Sequence, residues 1–197
     1  MRVGLISDIH CNLRGLERAL DLLQDCDEVL CAGDLLYQYR FSNDVLALLR
    51  RRTVRAILGN HDKTILYTPS HPLRSSPSVG LRGLEYLASL PSHLALTLGG
   101  TRIAMFHGSP WDEVKGPIAH YIFPADRQSL ERLAEVPADL IILGHTHVPM
   151  EVWVDGRLVV NPGSCGEARD ESRMLSCAML DLDTSRRELR RFALDDA

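Results

Sequence analysis

Five short apolar runs in this chain each close on a side chain that offers an oxygen or an imidazole nitrogen. Val3-Gly4-Leu5-Ile6-Ser7 leads into Asp8, Val29-Leu30-Cys31-Ala32-Gly33 into Asp34, and Ala56-Ile57-Leu58-Gly59 into Asn60. Ile103-Ala104-Met105-Phe106 leads into His107, and Leu140-Ile141-Ile142-Leu143-Gly144 into His145. Runs of this length read as buried strands, and in open α/β sheets the carboxyl ends of the strands line one crevice. The pattern therefore predicts that the five donors meet. His10 and His147, two residues beyond Asp8 and His145, belong to the same turns, and Gly33, Gly59, Gly108 and Gly144 suit tight turns and close backbone approach.

Between the runs lie amphipathic stretches, so the first two thirds of the chain read as βαβ units around a mainly parallel sheet. Strands are expected at 2–7, 28–31 and 54–58, with helices at 13–24, capped by Asn12, and at 43–51. Residues 64–98, broken by Thr68-Pro69-Ser70-His71-Pro72 and Ser75-Ser76-Pro77-Ser78, form a surface excursion or lid with a short helix at 81–90. Strands return at 94–98, 101–106 and 139–143, with a helix at 125–135. The tail reads as hairpins, at 151–154 and 157–160 around Asp155-Gly156, and at 174–182 with 188–192. The expected architecture is α/β, two sheets packed between helices. With 197 residues, of which 45% are hydrophobic and 24% charged, one domain over 1–197 is the default.

Charge and cysteine usage exclude several classes. The net charge is -4 and the basic residues are scattered, so no nucleic-acid footprint and no membrane-surface face is expected. The N-terminus meets Asp8 too early for a signal peptide, and no apolar run has transmembrane length. The five cysteines, at 11, 26, 31, 165 and 177, are odd in number and lack a C-x-x-C pair, which fits a reducing cytoplasm.

Buried Asp, Asn and His without counter-charge are costly, and divalent cations relieve that cost. Two carboxylates, one amide and four imidazoles suit Mn, Fe, Zn, Ni or Co, with Mn favoured, and are too rich in histidine for Ca or Mg. Taken singly, an Asp after a strand is usually a cap and a buried His usually a core residue. Seven such residues, in order at strand ends, weigh against that reading of each.

Asp8-Ile9-His10, Gly33-Asp34, Gly59-Asn60-His61-Asp62, His107-Gly108 and Gly144-His145-Thr146-His147 resemble the five ordered motifs of the calcineurin-like metallophosphoesterases. His107-Gly108-Ser109-Pro110 and Asn161-Pro162-Gly163-Ser164 resemble the small single-domain bacterial and archaeal branch. The resemblance implies a four-layer α/β/β/α sandwich of two mixed sheets. It implies that Asp8, His10 and His147 hold one metal, that Asn60, His107 and His145 hold another, and that Asp34 bridges them. It also implies that His61 is the catalytic histidine, protonating the leaving oxygen. Two cations about 4 Å apart would acidify a shared water and neutralise phosphate oxygens, so that hydroxide attacks phosphorus in line. Asp62 is expected either to orient His61 or to cap a helix starting at Lys63.

Gly33-Asp34-Leu35-Leu36-Tyr37-Gln38-Tyr39 lacks the Asp and Arg that the related phosphoprotein phosphatases carry in G-D-x-x-D-R-G. That departure favours a small-molecule substrate over a phosphoprotein, and a phosphodiester over a monoester, since the clamp for a doubly charged group is absent. The alternative to an enzyme is a non-catalytic scaffold, as in a retromer subunit of similar fold. Cys11 is expected to be an apolar filler, against a redox-sensitive thiol; Trp111 to pack a loop, against stacking on substrate; and His71, His93 and His120 to lie on the surface or in loops.

Overall fold

The computed structural model describes residues 1–184 and 186–194. Ser185 and the last three residues of the expected 1–197 unit lie outside the described residues. The strands are β1 (Arg2–Ile6), β2 (Glu28–Cys31), β3 (Arg55–Ala56), β4 (His93–Leu98), β5 (Thr101–Phe106), β6 (Leu140–Ile142), β7 (Met150–Val154), β8 (Arg157–Asn161), β9 (Leu175–Asp181) and β10 (Arg186–Phe192). The helices are α1 (Leu13–Leu22), α2 (Asn43–Arg51), α3 (Asn60–Tyr67), α4 (Leu81–Ser89) and α5 (Arg127–Leu133), with a 3₁₀ turn at Pro72–Ser75.

Two five-stranded sheets result, ordered β10-β9-β1-β2-β3 and β4-β5-β6-β8-β7. Each is mixed. β1, β2 and β3 run parallel in the first, and β5, β6 and β8 in the second. The hairpin β9-β10 joins the first sheet antiparallel to β1, while β4 and β7 flank the parallel centre of the second. The tail forms the two hairpins expected of it, β7-β8 around Asp155-Gly156 and β9-β10. One hairpin extends each sheet, because β1 and β6 still had an unpaired edge to fill.

Side chains alternate across each strand as the pleat requires. Val3 and Leu5 of β1, Ile103 and Met105 of β5, Leu140 and Ile142 of β6, and Leu158 and Val160 of β8 fill the layer between the sheets. Ile6 of β1 and Cys177 and Met179 of β9 face the other way, onto α1, α2 and α4. Ala104, Ile141 and Val159 face α5. Helices therefore cover both outer faces of two mixed sheets, the α/β sandwich expected.

Local chemistry fixes the helix starts. Asn12 Oδ1 accepts from the Gly15 backbone N–H at 2.9 Å, and Ser42 Oγ from Val45 at 3.2 Å, each supplying a partner for an otherwise orphan donor. α1 then buries Leu16, Ala19 and Leu20, spaced three and four apart. α3 begins at Asn60, not Lys63, because the Asp62 carboxylate reaches back to the Gly59 N–H at 3.0 Å. β3 is shorter than expected because its neighbours bond elsewhere, Val54 N–H to Leu49 and Leu58 N–H to Pro91.

Within 64–98, α4 packs on α2 and α3, and Leu87 is fully buried in the core beneath them. Leu81 at the start of the same helix is 71% exposed. We expect Leu87→Ala to cost about 2–5 kcal/mol in urea unfolding, and Leu81→Ala to stay within about 0.5 kcal/mol. Equal small effects would mean that the helix does not belong to the core.

Candidate metal centre

The carboxyl ends of five parallel strands, three from the first sheet and two from the second, open onto one cleft. Asp8 follows β1, Asp34 follows β2, Asn60 opens α3 after β3, His107 follows β5, and His145 and His147 follow β6. The loops after β1 and β2 are laced together by main-chain bonds. Asp8 N–H donates to Gly33 O at 3.0 Å, Ile9 N–H to Asp34 O at 2.9 Å, and His10 N–H to Asp34 O at 3.0 Å. Gly144 N–H to His107 O at 2.8 Å joins the β5 and β6 ends of the second sheet, and His145 N–H to Asp8 Oδ2 at 3.0 Å ties the two sheets at the same level.

Non-glycine residues avoid positive φ because Cβ crowds the backbone. Nine of those described adopt it, and six stand here: Asp8 (54°), His10 (48°), Cys11 (63°), Asp34 (52°), His145 (67°) and His147 (58°). At roughly 1–2 kcal/mol each, this is strain gathered at one place. It turns the chain sharply at the strand ends, so that Asp8 and His10, only two residues apart, both reach the cleft. Gly59 serves the same geometry by absence, since a Cβ there would stand 2.1 Å from Asp34 Oδ1.

All eight side chains singled out in the sequence come together. Asp8, His10 and His147 form one group whose ligand atoms lie within 4.8 Å of one another, and Asp34, His107 and His145 form a second. Asn60 Oδ1 lies 3.0 Å from His107 Nε2. Asp34 Oδ2 stands centrally, 3.3 Å from His107 Nε2, 3.8 Å from His10 Nε2 and 3.9 Å from His61 Nε2.

Hydrogen bonds on the far ring nitrogens set the tautomers, as they do around metal-binding histidines. His107 Nδ1 donates to Ala32 O at 2.7 Å, and His147 Nδ1 to Glu167 O at 2.6 Å. In the neutral ring each Nε2 then presents a lone pair to the cleft. His107 Nε2 faces two oxygens, and His147 Nε2 faces His10 Nε2 at 3.0 Å and Asp8 Oδ1 at 3.3 Å. Asp8 Oδ1 and His145 Nε2 are buried with no hydrogen-bond partner among the described residues. Acceptors facing acceptors in a dry site are costly, and a bound cation would satisfy them. This donor set therefore fits divalent metal ions.

The electrostatics agree. Burial favours the neutral form of His107, yet the Asp34 charge and hydrogen bond outweigh it and raise the group to about 9, so a proton on Nε2 and a cation compete for the same lone pair. Burial and the His107 charge pull His145 down to about 4. Asp34 is held well below the carboxylate range, burial being outweighed by His107, His61 and His10. The centre attracts positive charge.

His61 differs from the others. Its Nδ1 accepts the Gln38 backbone N–H at 3.1 Å, so the proton of the neutral ring sits on Nε2, toward Asp34. Tyr37 stacks on the ring at 4.7 Å. Asp62 does not touch it. The Asp62 carboxylate accepts from Leu35, Leu36 and Gly59, which makes it a cap and a brace between two loops.

Sequence reading missed several supports. Ser164 Oγ donates to Asp8 O at 2.7 Å, and Asn161 Nδ2 to Gly144 O at 2.7 Å, so Asn161-Pro162-Gly163-Ser164 braces both halves of the cleft. The motif itself was legible, but not what it grips. Tyr37 and Tyr121 carried no signal. Cys11 donates to Arg40 O at 3.3 Å, and burial raises its thiol, which suits the filler reading. Trp111 packs under the Arg132 guanidinium, 3.8 Å from its ring, on the α5 side of the core. His71 is buried, unlike His93 and His120.

The calcineurin-like phosphoesterase superfamily domain matches residues 1–185. An uncharacterised protein of Methanocaldococcus jannaschii is 26% identical over 91% of this chain and 82% of its own. The crystal structure of a metallophosphoesterase from Sphaerobacter thermophilus is 28% identical, with a TM-score of 0.77 over 98% of this chain and 89% of that one. A novel archaeal phosphodiesterase of known structure shares the fold at 20% identity, with a TM-score of 0.62 over 98% of this chain and all of its own. The chain belongs to the calcineurin-like phosphoesterase superfamily and is a phosphoesterase hydrolase.

Proposed function

We propose that the chain hydrolyses a phosphate ester of a small molecule, a diester in preference to a monoester, with two divalent transition-metal ions bound in the cleft. Asp8, His10 and His147 hold one ion, Asn60, His107 and His145 the other, and Asp34 lies between. The observation that carries this is the set of inward lone pairs without a donor, above all Asp8 Oδ1 and His145 Nε2. When bound, such ions acidify water and neutralise phosphate oxygens. Manganese is the ion favoured by the mixed carboxylate and imidazole set.

His61 also forms a triad with His10 and Asp34 within ligand distance. Its tautomer argues for another role. With Nδ1 occupied by Gln38 N–H, Nε2 carries a proton and is a donor, suited to protonating a leaving oxygen. The stacked Tyr37 and the His61 N–H bond to Asp34 Oδ1 at 2.9 Å keep ring and backbone in place.

The preference for a diester rests on the loop after Asp34. Leu35 and Leu36 are buried there, and its one cation, Arg40, donates to His10 O at 3.2 Å beside the Tyr37 ring. No arginine of that loop is placed to grip a doubly charged phosphate. No helix among the described residues is long and apolar enough to cross a membrane, and all five cysteines are free. A reducing cytoplasm suits both.

Purified protein equilibrated with manganese and then desalted is expected to retain about two equivalents by elemental analysis, and Asp34→Ala to lose both. Retention of the full complement by Asp34→Ala would refute its position between the ions. His61→Ala is expected to keep its metal while turnover of bis-p-nitrophenyl phosphate falls about 10²- to 10⁴-fold. Loss of metal from His61→Ala would make it a ligand instead.

A further inference from the structure

Residues 107–126, between β5 and α5, contain no helix or strand, yet they are firmly anchored. Ser109 donates to the Asp112 carboxylate through its backbone N–H at 2.7 Å and its hydroxyl at 2.8 Å. His120 N–H donates to Asp112 Oδ1 at 3.0 Å, and Lys63 Nζ donates to Glu113 O at 3.1 Å. Ile122 is buried against α5. Long irregular loops inside a compact domain are usually functional.

This loop holds two aromatic rings in the open. Tyr121 is 51% exposed and Phe123 42%, on either side of the buried Ile122, and their rings are parallel within 4° with centroids 5.9 Å apart. One face of Tyr121 lies on the His145 imidazole at 4.0 Å, so the pair borders the metal centre directly. Exposed apolar groups gathered beside a polar cleft mark a contact surface. Rings whose orientation is already fixed lose little entropy on stacking.

We propose that Tyr121 and Phe123 are specificity-determining residues, a stacking platform that selects esters whose organic group carries a flat aromatic ring, such as an aryl alcohol or a nucleoside. The proposal rests on the phosphoesterase reading above and deepens it. The phosphoryl group goes to the cleft, and the ring lies along the adjoining aromatic surface. An aliphatic group of the same size fills the space but gains no stacking.

The test uses manganese-loaded protein and phosphonates, whose C–P bond is not hydrolysed, with affinities measured by calorimetry. Phenylphosphonate is expected to bind about five- to tenfold more tightly than cyclohexylphosphonate, and an adenosine phosphonate more tightly than methylphosphonate by about tenfold or more. A larger gain for the phenyl than for the adenosine compound assigns the platform to aryl esters, and the reverse to nucleotides. Tyr121→Ala and Phe123→Ala are each expected to shrink these ratios, and Tyr121→Phe to keep them. Phe123→Ala, which leaves His145 covered, is expected to bind methylphosphonate and manganese as the parent protein does. Equal affinity for phenyl- and cyclohexylphosphonate in the unaltered protein overturns the proposal, as does a ring preference that survives in the Tyr121→Ala, Phe123→Ala double variant. Those results leave the metal centre standing, whereas failure to bind manganese or any phosphonate removes the parent reading too.

Discussion

Lone pairs that face one another across a few ångströms are the constraint from which the rest of the cleft follows. His147 Nε2 opposite Asp8 Oδ1 at 3.3 Å, and the buried His145 Nε2 with no partner among the described residues, are arrangements that a protein interior penalises. They persist because the surrounding backbone leaves the side chains no alternative. Main-chain bonds fasten the β1 and β2 loops together, and Ala32 and Glu167 carbonyls hold the imidazoles by their outer nitrogens. Positive φ at six neighbouring residues is further strain of the same origin. Strain concentrated in this way, over an otherwise ordinary sandwich, belongs to sites that bind or react.

The division of labour between the sheets explains the chain order of the donors. The first sheet supplies Asp8, His10, Asp34 and Asn60, and the second His107, His145 and His147. Each sheet alone presents an incomplete set. The hydrophobic layer between them, built from alternate residues of β1, β2, β5, β6, β8 and β9, sets their relative height.

Much of this could be read in the chain beforehand, and the reason is chemical. Apolar runs ending in Asp, Asn or His mark the strands and their carboxyl ends at once, so the donors and the α/β class were legible without a partner sheet in view. What could not be read depends on contacts distant in sequence. That Asp62 braces two loops instead of orienting His61 is decided by backbone donors at Leu35 and Leu36, more than twenty positions away. The grip of Ser164 on Asp8, and the seat of Tyr121 on His145, join residues whose spacing carries no periodic signal. Strand lengths shifted for a similar reason, β3 shrinking because Leu58 bonds to Pro91 outside the sheet.

The seam between the sheets has one more implication. Because Asp8 and His147 approach from opposite slabs, and Asp34 and His107 likewise, small sliding of one slab over the other alters every cross-seam distance together. Packed interiors resist such shear in discrete steps, not smoothly. Residues such as Leu5 or Ile142, buried between the slabs and outside the donor set, thereby act as the gauge block of the cleft. Their volume sets how far apart the two half-sites stand.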